Sequence, residues 1–172
     1  TSHELNIDTL DMRADKNTFH RFDRFNLKYN PCGQSRLREI FIKSDNLIRG
    51  RFLAELTKEV LTDLEANKYT MAEYRLSIYG RRKAEWDSLA AWVLNHGLFS
   101  KNIVWMIQLP RLFNIYKAQG TMKNFQQMLD NIFIPLFEVT IDPSTHPELH
   151  HFLKTVVGFD MVDDESKPER RP

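Results

Sequence analysis

Ile103-Val104-Trp105-Met106-Ile107-Gln108-Leu109 is seven residues long and carries a single polar side chain. A run this short and apolar, without alternation, reads as a strand covered on both faces, as in a parallel sheet. Upstream, Ala72, Tyr74, Leu76 and Ile78 alternate with Glu73, Arg75 and Ser77, and Gly80 closes the run. Period two predicts a strand over 71–79. Between these strands, Trp86, Leu89, Ala90 and Val93 share one face of a helix over about 83–96, with Gly97 just past its end. Downstream, helical spacing recurs over about 111–118 and 122–138, separated by Gly120. Pro135 is expected to kink or end the second of these. Thr145-His146-Pro147-Glu148 has the form of a capping box with proline in the first turn. That short helix leads to Val156-Val157-Gly158-Phe159-Asp160-Met161, a third apolar strand. Buried strands separated by helices make a βαβαβ unit with right-handed crossovers. The fold class is α/β.

The stretch before this unit begins polar and then turns helical in pattern. Residues 1–16 show no clean period and read as an approach loop. Phe19, Phe22, Phe25 or Asn26, and Tyr29 form a helical stripe, with Arg21, Arg24 and Lys28 interleaved. Asn30-Pro31 should end it, and Gly33 supplies a turn. Leu37, Ile40 and Phe41 lead into Leu47, Ile48, Phe52, Leu56, Val60 and Leu64. Asp45-Asn46 and Gly50 divide this stretch into two helices, the second running to about Asn67. The tail from Asp163 to Pro172 is charged and is expected to be exposed.

Composition sets the outer bounds. The chain has 172 residues, 24 Lys+Arg against 23 Asp+Glu, and a formal net charge of +1. That balance argues against a generally basic nucleic-acid binder. With 42% hydrophobic residues the chain can bury a core. Residues 1–172 show no internal domain boundary. Cys32 is the sole cysteine, so no intrachain disulfide can form and a reducing compartment is expected. No apolar run approaches the ~18 residues of a membrane span. The sequence begins at Thr1 without a leader pattern, which suggests the interior of a longer polypeptide.

For chemistry, the absences come first. There is no glycine-rich phosphate loop, paired CxxC, HExxH or GxSxG. His146 and His150 stand four apart, as two zinc ligands on a helix would, but no third ligand converges with them. The plainer reading puts His146 at a helix start and His150 and His151 in a surface turn. Glu73, Arg75 and Ser77 point away from the apolar side of their strand, and a structural Glu–Arg pair is preferred to direct substrate contact. The acidic residues of Phe159-Asp160-Met161-Val162-Asp163-Asp164-Glu165 stand where α/β folds bind ligands, or begin a solvated loop. In Arg21 to Tyr29, cations interleaved with aromatics suit a nucleotide. From periodicity alone, a core stripe with solvated cations is the better reading, and the electrostatic footprint for RNA is poor.

Several of these strings resemble one family. Phe19-His20-Arg21-Phe22-Asp23-Arg24-Phe25-Asn26-Leu27-Lys28-Tyr29-Asn30-Pro31 and Ser35 to Phe41 closely resemble AMP deaminases, particularly those of plants. So do Ala72 to Gly80, Gln108-Leu109-Pro110-Arg111-Leu112 and Gly158 to Glu169. The resemblance covers essentially the whole chain. It implies a zinc-dependent (β/α)8 barrel that hydrolyses AMP to IMP and ammonia. In that family a metal-bound water attacks C6 of the purine, and a glutamate that is not a zinc ligand shuttles protons. The family's substrate-binding segment falls on Arg24, Phe25, Asn26, Leu27, Lys28 and Tyr29. Its usual first residue is lysine, so Arg24 replaces a point donor by a fork. The resemblance makes Arg24 and Lys28 phosphate contacts and packs Phe25 or Tyr29 near the nucleotide. The loop after Asp160 is expected near the purine, through Val162 or Asp163. None of His3, His20, His96, His146, His150 and His151 matches a zinc ligand of the family. The zinc ligands and catalytic residues are therefore expected outside residues 1–172, leaving a partial (β/α)8 barrel of about three parallel strands that is inactive alone. As a whole enzyme the expectation is a cytosolic homo-oligomer that does not bind nucleic acid, with a membrane anchor elsewhere left open. The alternative is a non-catalytic nucleotide- or protein-binding module that uses helix 19–29.

Overall fold

A computed structural model describes residues 41–43 and 46–163. The chain divides into two compact units, Thr1–Leu53 and Ala54–Pro172. The expected helices over 19–29 and from Leu37, and the acidic tail beyond Asp163, lie outside the described residues. In the first unit, Asn46 Oδ1 accepts a hydrogen bond from the Gly50 amide at 2.8 Å. Arg49 and Gly50 take positive φ of 50° and 71°. A left-handed pair cannot continue a helix, so α1 (Arg51–Ala66) starts after this turn, at the break expected there.

The second unit is built on a parallel sheet. Among the described residues, β1 (Ala72–Ser77), β2 (Ile103–Pro110) and β3 (Val156–Val162) lie in the order β1-β2-β3. Tyr74 stands opposite Trp105, Leu76 opposite Ile107, and Ile107 opposite Phe159. A register shift intervenes between β2 and β3, because Trp105 faces Val156 while Met106 faces Gly158.

The connecting helices are α2 (Glu85–Asn95), α3 (Phe113–Ala118), α4 (Phe125–Ile141) and α5 (Pro147–Leu153). The expected stripe on α2 is the buried one, with Trp86, Leu89, Ala90 and Val93 all in the core. Gly97 ends α2 at φ 60°. Its amide donates to Leu94 O and that of Leu98 to Val93 O, the paired bonds of a glycine C-terminal cap. Both Val93 and Leu98 are fully buried, the apolar contact that accompanies such a cap. At the start of α4, Asn124 Oδ1 accepts from the Gln127 amide at 2.9 Å.

Two expectations need correction. Pro135 does not end its helix, because α4 runs on to Ile141. A proline removes one donor, and here Pro135 is itself buried in the core. The capping box at Thr145 does not form either. Thr145 Oγ1 donates back to Asp142 O at 2.7 Å, and His146 is the N-cap without a side-chain cap bond. Pro147 does occupy the first turn, as expected. On β2 both faces are covered among the described residues, one more fully than the other. Ile103, Trp105, Ile107 and Leu109 are buried, while Val104, Met106, Gln108 and Pro110 are half-buried.

Candidate functional site

The carboxyl ends of parallel strands are where α/β folds gather functional side chains. On β1 the alternation places Glu73 and Arg75 on the face opposite Tyr74 and Leu76. Register carries that face through Met106 and Gln108 of β2 to Gly158 and Asp160 of β3. Ser77, Gln108 and Asp160 stand at one level, one on each strand. Ser77 Oγ donates to Gln108 Oε1 at 3.0 Å.

Arg75 is not chiefly the partner of Glu73. Its Nε donates to Asp160 Oδ2 at 2.7 Å, whereas its Nη2 stands 3.9 Å from Glu73 Oε1. The structural Glu–Arg pair expected within β1 is present, and a shorter bond crosses the sheet to Asp160. One residue past β3, Asp163 Oδ2 lies 3.4 Å from Arg111 Nε, and the Arg111 amide donates to Val162 O at 2.9 Å.

The turn after β1 is held by a single carboxylate. Glu85, in the first turn of α2, accepts from the Tyr79 amide at 2.8 Å, Gly80 at 3.0 Å and Arg81 at 3.0 Å. The Asn131 side-chain amide donates to Gly80 O at 3.0 Å. Arg81 lies 5.3 Å from the Tyr79 ring centre and 5.7 Å from that of Tyr116. The hydrogen bond it donates to Tyr116 Oη keeps its guanidinium pKa above the ordinary value despite partial burial. Three amides converging on a turn could cradle an anion. Here Glu85 is that anion.

The histidines sort differently. His146 Nδ1 lies 2.8 Å from Asp87 Oδ1 and Nε2 lies 3.3 Å from Glu138 Oε2. Partial burial alone would push the imidazole down, but hydrogen bonds to Asp87 and Glu138 outweigh it and hold the pKa above the usual histidine value. Both ring nitrogens are occupied by carboxylates, so the trio does not converge on a common point as zinc ligands must. His150 and His151 lie in the last turn of α5 rather than in a surface turn, with rings 5.8 Å apart. Among the described residues no group of three or more His, Cys, Asp and Glu side chains could hold a metal ion. Zinc does not fit them. No helix there is long and apolar enough to cross a membrane.

The expected substrate segment, Arg24, Phe25, Asn26, Leu27, Lys28 and Tyr29, lies outside the described residues. What the structure adds is Glu85, Gln108 and the Arg75–Asp160 bridge. Gln108 carried a signal, being the polar interruption of the apolar run. The described arrangement can fix a sheet edge and orient a ligand. It contains no nucleophile paired with a base.

The sequence profile described as AMP deaminase matches residues 1–172. The chain is 71% identical over 172 residues to an AMP deaminase of Arabidopsis thaliana, covering 100% of this chain and 20% of that protein. It is 70% identical over 172 residues to a probable AMP deaminase of Oryza sativa subsp. japonica, covering 100% and 21%. Against an AMP deaminase of Saccharomyces cerevisiae it is 58% identical over 171 residues, covering 99% and 21%. The chain thus spans about a fifth of the length of these curated relatives.

Proposed function

Because the chain belongs to the AMP deaminase family, we propose that it is the substrate-positioning part of an enzyme that hydrolyses AMP to IMP and ammonia. The observation that carries this reading is identity of 70% or more with two plant relatives over every residue of the chain. The parallel sheet, with polar side chains at one level near its carboxyl ends, supports it as the corresponding portion of a (β/α)8 barrel. Zinc, held by ligands elsewhere in the whole protein, would supply an activated water.

This chain's own residues bind and orient. Lys28 and Arg24 take the phosphate, a point charge and a fork respectively. Asn26 offers an amide, and Phe25 or Tyr29 packs beside the nucleotide. At the opposite end of the chain, Val162 or Asp163 lies along the purine. The whole enzyme works as a homo-oligomer in the cytosol.

Conversion of AMP to IMP by the purified whole protein, followed by ammonia release, is the direct test, with adenosine as the comparison substrate. Lys28→Ala should raise KM for AMP by about tenfold or more, with kcat little changed, as expected for lost ground-state binding. An unchanged KM would remove Lys28 from the phosphate site. Tight stoichiometric AMP binding by the isolated chain without metal would instead favour a non-catalytic nucleotide-binding module.

A further inference from the structure

We propose that Arg75 is a positioning residue: reaching across β2 to Asp160, it fixes the end of β3 and so the placement of Val162 and Asp163 against the purine. The inference rests on the AMP deaminase reading above and goes beyond it in naming what holds that strand end.

The geometry is unusual for an ion pair within a sheet. β2 lies between β1 and β3. Arg75 stands opposite Met106, Met106 opposite Gly158, and Asp160 two residues further on. The bridge must therefore cross two strand spacings, about 9.6 Å, and advance towards the carboxyl end. A long side chain is required, and Arg75 uses its length for this contact although Glu73 lies closer along its own strand. The 2.7 Å contact to Asp160 is a charge-assisted hydrogen bond at the short end of its range. The 3.9 Å approach to Glu73 is an ion pair without that directed bond.

The neighbouring polar groups leave this assignment clear. Gln108, level with Asp160 on the strand between, receives the Ser77 hydroxyl. Beyond Asp160, Arg111 bonds Val162 O and approaches the Asp163 carboxylate. The end of β3 is thus tied from β1 by Arg75 and from the loop after β2 by Arg111. Side-chain exposure of 47% for Arg75 and 30% for Asp160 means that solvent screens the pair. Such pairs contribute little to stability, so their effect is on where the strand end sits. Misplacement by about 1 Å near a reacting centre can cost ~100-fold in rate.

The test uses steady-state kinetics on AMP with the whole deaminase, comparing Arg75→Met, Arg75→Lys, Asp160→Ala and the Arg75→Met/Asp160→Ala double variant, each with a thermal melt. Arg75→Met should lower kcat by at least about tenfold while KM changes less than about threefold. Arg75→Lys keeps charge and most of the reach, so it should recover part of kcat. The double variant should be no slower than the slower single one, because both substitutions break the same tie. Independent, multiplying losses would overturn the proposal. So would a lowered melting temperature with unchanged kcat in Arg75→Met or, if that variant fails to fold, in Arg75→Lys. A raised KM with unchanged kcat would make Arg75 a direct substrate contact and overturn it too. If the unsubstituted protein does not deaminate AMP, it is the proposed activity that fails.

Discussion

Gly80 shows how much one position can decide. Its φ is 71°, a region that side chains rarely adopt, and a Cβ there would stand 3.0 Å from Ile132 Cδ1. Both effects act in the same direction. Gly80→Ala should lower stability by about 1–3 kcal/mol, read as a fall in denaturation midpoint, and it should loosen the turn that Glu85 holds. Gly158 provides the contrast, because an added Cβ would meet only Met106 Cε at an ordinary 3.9 Å. Gly158→Ala should be neutral or stabilising by up to about 1 kcal/mol. A larger loss at Gly158 than at Gly80 would contradict this account. From the sequence, Gly80 was legible as the end of a strand. The Glu85 carboxylate that organises the turn was not, because an acidic residue in a first helical turn ordinarily serves the helix dipole alone.

At the scale of elements, side chains join helices that periodicity describes one at a time. Asn102 is 6% exposed, and its amide donates to Leu64 O, Asn67 O and Thr70 O at 2.9, 3.2 and 3.1 Å. It thereby closes the end of α1 and the approach to β1. Asn102→Ala would leave those carbonyls short of a donor, at a cost of about 1–3 kcal/mol, visible in chemical denaturation. A loss below about 0.5 kcal/mol would mean that water replaces the amide. His146 joins α2, α4 and the start of α5 through Asp87 and Glu138. Its folded pKa is raised. The stabilisation is therefore complete below the unfolded value of about 6.5 and is lost as pH rises through the folded one. His146→Gln should narrow the stability gap between pH 6 and pH 8.5 by less than about 1 kcal/mol, because both carboxylates are half-exposed and screened. An unchanged gap would remove His146 from this role. The α2 stripe was fully legible because one helix face sets its period. The failed capping box was not, since the Thr145 hydroxyl donates locally to Asp142 O instead of capping the helix.

At the scale of the whole molecule, each strand was legible and their register was not. Ser77, Gln108 and Asp160 become one level of a polar face only when the intervening helices bring their strands together, and no local pattern encodes that alignment. Both faces of β2 are at least half-buried, one more than the other, because its neighbours decide how far each face is closed. Residues 19–29 lie outside the described residues; their reading as a nucleotide contact comes only from resemblance, since periodicity alone favours a core stripe. The opposite face of the sheet leads to a further expectation. Val157, Phe159 and Met161 on β3 are 55%, 47% and 65% exposed. Among the described residues β3 is also an edge strand. An apolar edge with open backbone groups is a template for pairing. The isolated 172-residue chain should therefore self-associate through β3. Val157→Lys/Met161→Lys should raise the concentration at which association begins by at least about tenfold, since ~1.4 kcal/mol corresponds to roughly 55 Å² of apolar burial. Phe159 is left in place because its ring meets Trp86 at 6.4 Å and Phe133 at 6.5 Å, and replacing it would disturb folding as well as association. Size-exclusion chromatography with light scattering reads the outcome, and circular dichroism confirms that the variant keeps its secondary structure. Association unchanged by the two lysines would move the sticky surface away from β3.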